Sequence, residues 1–411
     1  MNLYQKLNTI LLLLFIVLSP ILPTYGKINS DLIIYMLILL QVIGFISMKD
    51  ERKQTIKNIK RILNDRIFLT LIVLNVLMYT SSFVAFDKRV SITHSIRFSF
   101  YLFIFYLISY TITTKRKLKV VLNTFIFTSG LIGIITVIQL IGIRLGGNSL
   151  DLSHRLSSTL ENPNNLGAYS IFSIFICIML LINSKEKISR GIYGTLTILL
   201  LFNIIVSQSR NALLALVLGS FIIVFLYDKR YIIFASVLPI ILLIIPASRE
   251  RLFSILDISQ NSSRLKIWKI TEIMINNNNQ MFGIGYENYV FNYPSYLESN
   301  PSYFVRESLK AIHPHNIFLK FQVELGIFGT IAFTAFLIVS VIMLYKMITS
   351  TKDKFSKSIF IGILAGFIAF QCMNLIDSYY GAPKVIISMF IILGIANSYK
   401  NLKKSNYYMT L

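Results

Sequence analysis

Four stretches of this 411-residue chain combine residue types that could do chemistry. The first, from Arg155 to Tyr169, contains Asn162-Pro163-Asn164-Asn165, a turn and helix-start signal. The second, Ser207-Gln208-Ser209-Arg210-Asn211, interrupts two apolar runs. A guanidinium there can grip a phosphate through paired hydrogen bonds, and a helix N-terminus at the same place would add backbone donors for an anion. The third, Ser263-Arg264-Leu265-Lys266-Ile267-Trp268-Lys269, offers a second guanidinium on a helical pattern that places Arg264, Trp268 and Glu272 one turn apart. The fourth begins at His313-Pro314-His315 and leads to Gly326. An imidazole titrates near neutral pH and can take a proton from a hydroxyl. If residues 315 to 326 are helical, Gln322 and Gly326 share the face of His315 and Glu324 points away. Each stretch also has a plain structural explanation: a helix start, an arginine snorkelling to headgroups, an interfacial anchor, a structural histidine.

The elements that must position these residues are membrane helices. Hydrophobic residues make up 55% of the chain and charged ones 14%, well below a soluble domain. The net charge of +22 would suggest nucleic acid in a soluble protein, but these apolar runs are of bilayer length, so no nucleic-acid partner is expected. The runs lie near 7–25, 31–48, 67–86, 96–113, 120–143, 167–183, 191–207, 212–227, 231–246, 325–345, 358–377 and 384–398. Twelve spans put both termini on one side. With the termini cytoplasmic, the inner segments hold 24 of the 40 Lys and Arg residues, as the positive-inside rule requires. All four histidines (His94, His154, His313, His315) then face outward with most of the acids, including Asp151, Asp257, Glu307 and Asp377. The first run reads as a retained span rather than a cleaved leader, since only Lys6 precedes it and no small-x-small site follows.

The expected fold is all-α, a polytopic membrane protein with a long, partly helical outer loop between helices nine and ten. It divides into helices one to nine (1–246), the outer loop (247–324), and helices ten to twelve with a cytoplasmic tail (325–411). A connection as long as 247–324 is functional or disordered. Its Trp268 and its tyrosines (Tyr286, Tyr289, Tyr293, Tyr296, Tyr303) suggest a small cap at the membrane interface, with turns at Asn276–Asn279 and Gly283-Ile284-Gly285. Cys177 and Cys372 both fall in apolar runs, and neither a disulfide scaffold nor a cysteine-based metal site is expected.

Taken in order, Asn162-Pro-Asn-Asn-Leu-Gly-Ala-Tyr169, Arg210-x-x-x-Leu214, Arg264-Leu-Lys-Ile-Trp268, Gly283-Ile-Gly285-Tyr-Glu-Asn, and His315 with ten residues before Gly326 resemble the O-antigen ligase and polymerase family. These motifs cover roughly residues 150 to 340; the first 150 match only in hydropathy. The resemblance implies inverting, metal-independent glycosyl transfer from an undecaprenyl-diphosphate-linked glycan at the outer face of a bacterial cytoplasmic membrane, without a cofactor. It implies that Arg210 and Arg264 bind the donor diphosphate and stabilise it as leaving group, with Arg155 and Asn164 joining the substrate site. His315 would position or deprotonate the acceptor hydroxyl, with His313 as its near neighbour. Membrane lipids, a chain-length regulator and a flippase of the same pathway are the implied partners.

Polymerase and ligase remain open on these motifs, and the composition tilts the reading to a repeat-unit polymerase. A transporter would hold ionisable residues at mid-membrane, which the apolar runs do not show. A metal-dependent transferase would be expected to carry an Asp-x-Asp pair, and the sequence has none.

Overall fold

The computed structural model describes residues 3–24, 26, 29–147, 155–253, 258–304 and 313–409, so His154, Asp151, Asp257 and Glu307 lie outside the described residues. Among the described residues every regular element is helical: α1 (Leu3–Leu18), α2 (Asp31–Ser47), α3 (Lys49–Ile62), α4 (Arg66–Thr80), α5 (Lys88–Tyr106), α6 (Lys115–Leu145), α7 (Pro163–Asn183) and α8 (Lys187–Ser207) come first. Then follow α9 (Arg210–Leu226), α10 (Ile232–Ile244), α11 (Pro246–Phe253), α12 (Ile258–Asn277), α13 (Tyr289–Ser299), α14 (Ile317–Ser350), α15 (Lys354–Met373) and α16 (Pro383–Met409). Each apolar run of the sequence holds one of these helices. Eight of them, α4 to α8 and α14 to α16, are long and apolar enough to cross a bilayer. The others in apolar runs, α1, α2, α9 and α10, have 16, 17, 17 and 13 residues. Helix α3 was not foreseen. It is amphipathic, with Asp50 and Glu51 in its first turn and Lys60 and Arg61 in its last, as the helix dipole favours, and it turns 111° away from α2.

The centre of the molecule is α7. Asn162 caps its first turn through Asn164 N at 2.8 Å, Pro163 pre-sets the first helical φ, and fourteen of its residues are buried. Small residues let its neighbours close in. A Cβ on Gly362 of α15 would lie 2.7 Å from Phe175 O, and one on Gly366 would lie 3.2 Å from Ile171 O, so this Gly-x-x-x-Gly face brings two backbones into contact. At the end of the molecule holding the start of α4 and the end of α16, Asp65 accepts from Tyr110 at 2.6 Å and Asn397 at 2.8 Å, and pairs with Lys400 at 3.0 Å.

Two expectations about α14 need correction. His315 lies before the helix, in left-handed backbone with φ +51°, and Asn316 caps the helix by accepting from Phe318 N and Leu319 N. The helix also breaks at Gly326, where φ is +67° and ψ −164°. His315 therefore does not share a helical face with Gln322 and Gly326. The break is filled by the Gly283 turn: Ile284 N donates to Val323 O and Gly285 N to Glu324 O, each at 3.0 Å, and Ile327 N donates to Gln280 O at 2.8 Å. Glycine is required at Gly326 twice over, by its positive φ and because a Cβ would fall 2.2 Å from Met281 O.

The tyrosines of residues 247–324 are not gathered on one surface. Tyr289, Tyr293, Ile267, Ile270, Met274, Ile284, Leu297 and Val323 form a small core of their own between α12, α13 and the start of α14, and Tyr286 is buried in the main core. Burial of these rings supplies the apolar area that a short loop domain otherwise lacks.

Candidate active site

The segments singled out in the sequence converge at one end of the bundle. Asp377, which the sequence reading counted only as an outer acid, is the centre of the group. It follows the end of α15, where Asn374 receives Ile317 N at its carbonyl (2.9 Å) and Tyr379 N at its side chain (2.9 Å). These bonds dock the start of α14 on the end of α15 and so bring His315 to Asp377 across 62 residues of sequence.

The hydrogen bonds fix the state of both histidines. His315 Nδ1 lies 3.1 Å from Asp377 Oδ1, which also accepts from Ser378 N at 2.9 Å. A carboxylate can only accept, so Nδ1 carries the proton and Nε2 of a neutral His315 is left with a lone pair. His313 is arranged the other way: its Nδ1 accepts from His315 N at 3.2 Å, which puts the proton of the neutral ring on Nε2, 4.0 Å from Asp377 Oδ1. The two rings meet edge to face at 4.4 Å. Burial pushes the His313 pKa down to about 4 despite the facing Asp377 carboxylate, so this ring is neutral at pH 7 and is a poor proton acceptor. The choice of His315 over His313 thus rests on tautomer and charge, not on spacing to Gly326. The segment between them is held by Trp268, whose indole N–H donates to Pro314 O at 2.8 Å.

Asp377 is buried, and desolvation alone would raise its pKa. The hydrogen bond from His315 and the fields of His313, His315 and Arg264 outweigh that and hold it well below the usual carboxylate range.

Arginines surround this pair from four elements. Arg155 donates from Nε to Ser207 O at 2.9 Å and from its terminal nitrogen to Asn164 Oδ1 at 2.5 Å, so two residues expected at the site bond each other directly. Burial, then the neighbouring Arg251 and Arg210, bring its pKa down to about 10, partly offset by Tyr379 and Asp377. Arg210 opens α9 directly after the N-cap Ser209. Arg251, on α11, donates to Gln208 at 3.3 Å. Arg264, on α12, acts on both Asp377 and Tyr379. The hairpin tip that carries Arg210 is not a solvated turn: Ser207, Gln208, Ser209 and Asn211 are buried, with Gln208 in left-handed backbone. The tip is pressed against α7, where a Cβ on Gly167 would meet Ala212 Cβ at 2.7 Å.

Below this group lies a second set of charges within the cap-side turns of α14. Buried Lys320 pairs with Glu287 at 2.7 Å and lies 4.0 Å from Glu324 Oε2, the oxygen that also accepts from Glu287 N–H at 3.0 Å. These bonds lock the Gly283–Glu287 turn to the helix that starts after His315. Removing one partner of such a buried pair costs about 3–5 kcal/mol.

Chemically, the arrangement offers an imidazole nitrogen, His315 Nε2, with no partner among the described residues, backed by a charged carboxylate and beside a concentration of guanidinium groups. The ligand atoms of His313, His315 and Asp377 also lie within 4.8 Å of one another, a grouping of metal-ligand type that sequence spacing does not reveal. Two facts oppose a cation there. Asp377 Oδ1 already accepts two hydrogen bonds, and the fields of Arg264 and Arg155 reach the same carboxylate.

Asp377, Arg251 and Tyr379 were missed as site residues. For Asp377 a signal existed, as an acid at the end of an otherwise apolar run, but nothing in the sequence paired it with His315. No curated protein matches the chain. Residues 195–334, which contain Arg210, Arg264 and His315, match the family model described as O-antigen ligase. That third of the chain is thus similar to the O-antigen ligase family, a family of glycosyltransferase type that acts on lipid-linked glycan.

Proposed function

We propose that the chain polymerises oligosaccharide repeat units carried on undecaprenyl diphosphate into a surface polysaccharide, O-antigen or capsule. The observation that carries this reading is the His315–Asp377 pair set among Arg155, Arg210, Arg251 and Arg264. His315 Nε2 takes the proton of an acceptor hydroxyl as its oxygen attacks the anomeric carbon from the face opposite the leaving group, which inverts that centre. The bond from the anomeric carbon to phosphate oxygen breaks, and the diphosphate leaves with the electron pair. The diphosphate gains one negative charge as it leaves and needs preorganised positive charge more than a proton, and Arg210 and Arg264 supply it. Arg155 and Asn164 hold one another at the mouth of α7 and complete the diphosphate site, while neutral His313 supports the turn of His315.

In this reading all twelve apolar helices cross the cytoplasmic membrane, both termini are cytoplasmic, and the site opens on the outer face. The reaction needs no metal, so activity should persist in EDTA. The description of the matching family favours a second reading, transfer of finished glycan to lipid A core. Purified protein incubated with lipid-linked repeat units, with and without lipid A core, separates the two. Products that lengthen on the lipid carrier without core support polymerisation; products that form only with core, at unchanged glycan length, overturn it.

A further inference from the structure

At the end of the bundle away from His315 a cavity of about 250 Å³ lies between the start of α6 and the start of α15. Leu180 of α7, Tyr193 of α8, and Ile395 and Tyr399 of α16 wall it in. Its interior is apolar: Leu118, Leu122, Phe355, Ile359 and Phe360 line it, and Phe360 meets Tyr399 edge to face at 4.9 Å. Its rim is basic. Lys115 and Lys119 stand one turn apart on α6, both exposed, with the Lys115 ammonium 5.6 Å from the centre of the Tyr399 ring. The same first turns carry Arg116 and Lys117 on α6, and Lys354 and Lys357 on α15. Asp353 is the acid facing them, and its carboxylate already accepts from Ser356 N at 2.8 Å. Cations at a helix N-terminus oppose the helix dipole, so the start of α6 concentrates positive potential that an anion relieves.

We propose that this cavity is a binding site for an anionic phospholipid, with an acyl chain in the apolar slot and the phosphate at Lys115 and Lys119. An apolar interior and a basic rim at a helix end match the two halves of such a lipid, whereas inorganic phosphate matches only the rim and a neutral lipid only the slot. Helix α15, of 20 residues and so about 30 Å long, has its first turns at the cavity and its last turn next to the Asp377 segment, at opposite ends of a helix as long as a bilayer core is thick. The bound lipid is therefore not the glycan donor at the His315 site, whichever glycan that site transfers.

The test uses the full-length protein in neutral detergent, examined intact by native mass spectrometry while dioleoyl-phosphatidylglycerol or dioleoyl-phosphatidylcholine is titrated in. One phosphatidylglycerol should be retained in preference to phosphatidylcholine. The Lys115→Gln/Lys119→Gln variant should bind it about thirtyfold more weakly, from the attraction of two lysines. Lys60→Gln/Arg61→Gln, charges on α3, should bind as wild type. Because Lys115 and Lys119 are exposed, their replacement leaves the core intact; Leu122→Trp, which fills the slot, gives an independent loss of binding. Equal retention of phosphatidylcholine, or unchanged binding in the lysine variant, overturns the proposal. So does inorganic phosphate binding as tightly as the lipid.

Discussion

Replacement of Asp377 by asparagine isolates the charge that the site places behind His315. The Asp377 Oδ1 atom accepts from Ser378 N at 2.9 Å as well as from His315 Nδ1 at 3.1 Å. An asparagine turns its carbonyl oxygen to the same place, because its amino group would face two donors. The His315 tautomer is then retained and only the negative charge is lost. A unit charge pair at 3.1 Å is worth about 5 kcal/mol at an effective dielectric of about 20. His315 is 31% exposed, so solvent screens the imidazolium that forms during proton transfer, and about half of that energy remains. The loss of about 2.7 kcal/mol corresponds to about a hundredfold fall in kcat. Since the charge acts only when the imidazole is protonated, KM for the lipid-linked donor should hardly move. The assay is product formation by purified Asp377→Asn protein at saturating donor, with donor binding measured alongside. A variant within threefold of wild type, or one whose defect lies wholly in KM, would refute the pairing as a source of catalysis.

Three further outcomes follow from the same geometry. Gly326→Ala should lower the unfolding midpoint in detergent and reduce expression, by strain of about 1–3 kcal/mol from φ +67° before the clash with Met281 O is counted. His313 has a pKa of about 4 in the folded protein against about 6.5 unfolded, so the unfolded chain gains a proton first as pH falls. Stability should drop by about 3 kcal/mol between pH 6.5 and 4 and be flat above 6.5, and His313→Gln should remove this component from a pH series of unfolding midpoints. Arg155→Lys keeps the charge but cannot reach both Ser207 O and Asn164 Oδ1, so donor KM should rise about tenfold with a smaller change in kcat.

Hydropathy made most of the helices legible, because a bilayer imposes length and composition on whatever crosses it. The same rule hid α3, whose charged amphipathic face has no membrane signature, and it hid the break at Gly326, a glycine at the start of an apolar run that reads as a helix from hydropathy alone. Arg210, Arg264 and His315 stood out as polar groups in apolar surroundings, and the structure brings them to one end of the bundle. Their closest support was not legible. Asp377 and Arg251 reach the site through tertiary contacts that no local pattern encodes, and the docking of α14 on Asn374 is a backbone bond invisible in residue types. Trp268 shows the limit from the other side. Its ring suggested a membrane interface, whereas its N–H holds the carbonyl between the two histidines.

His315, oriented by Asp377 among the arginines, is the group we propose carries out glycosyl transfer. The direct measurement is release of undecaprenyl diphosphate and growth of glycan from lipid-linked repeat units by purified wild-type, His315→Ala, His313→Ala and Arg264→Ala proteins, each in EDTA and matched for membrane insertion. Transfer by wild type and residual transfer by His313→Ala, with none from His315→Ala or Arg264→Ala, is the predicted result. Near-wild-type transfer by His315→Ala, or loss of transfer in EDTA that added metal restores, would contradict it.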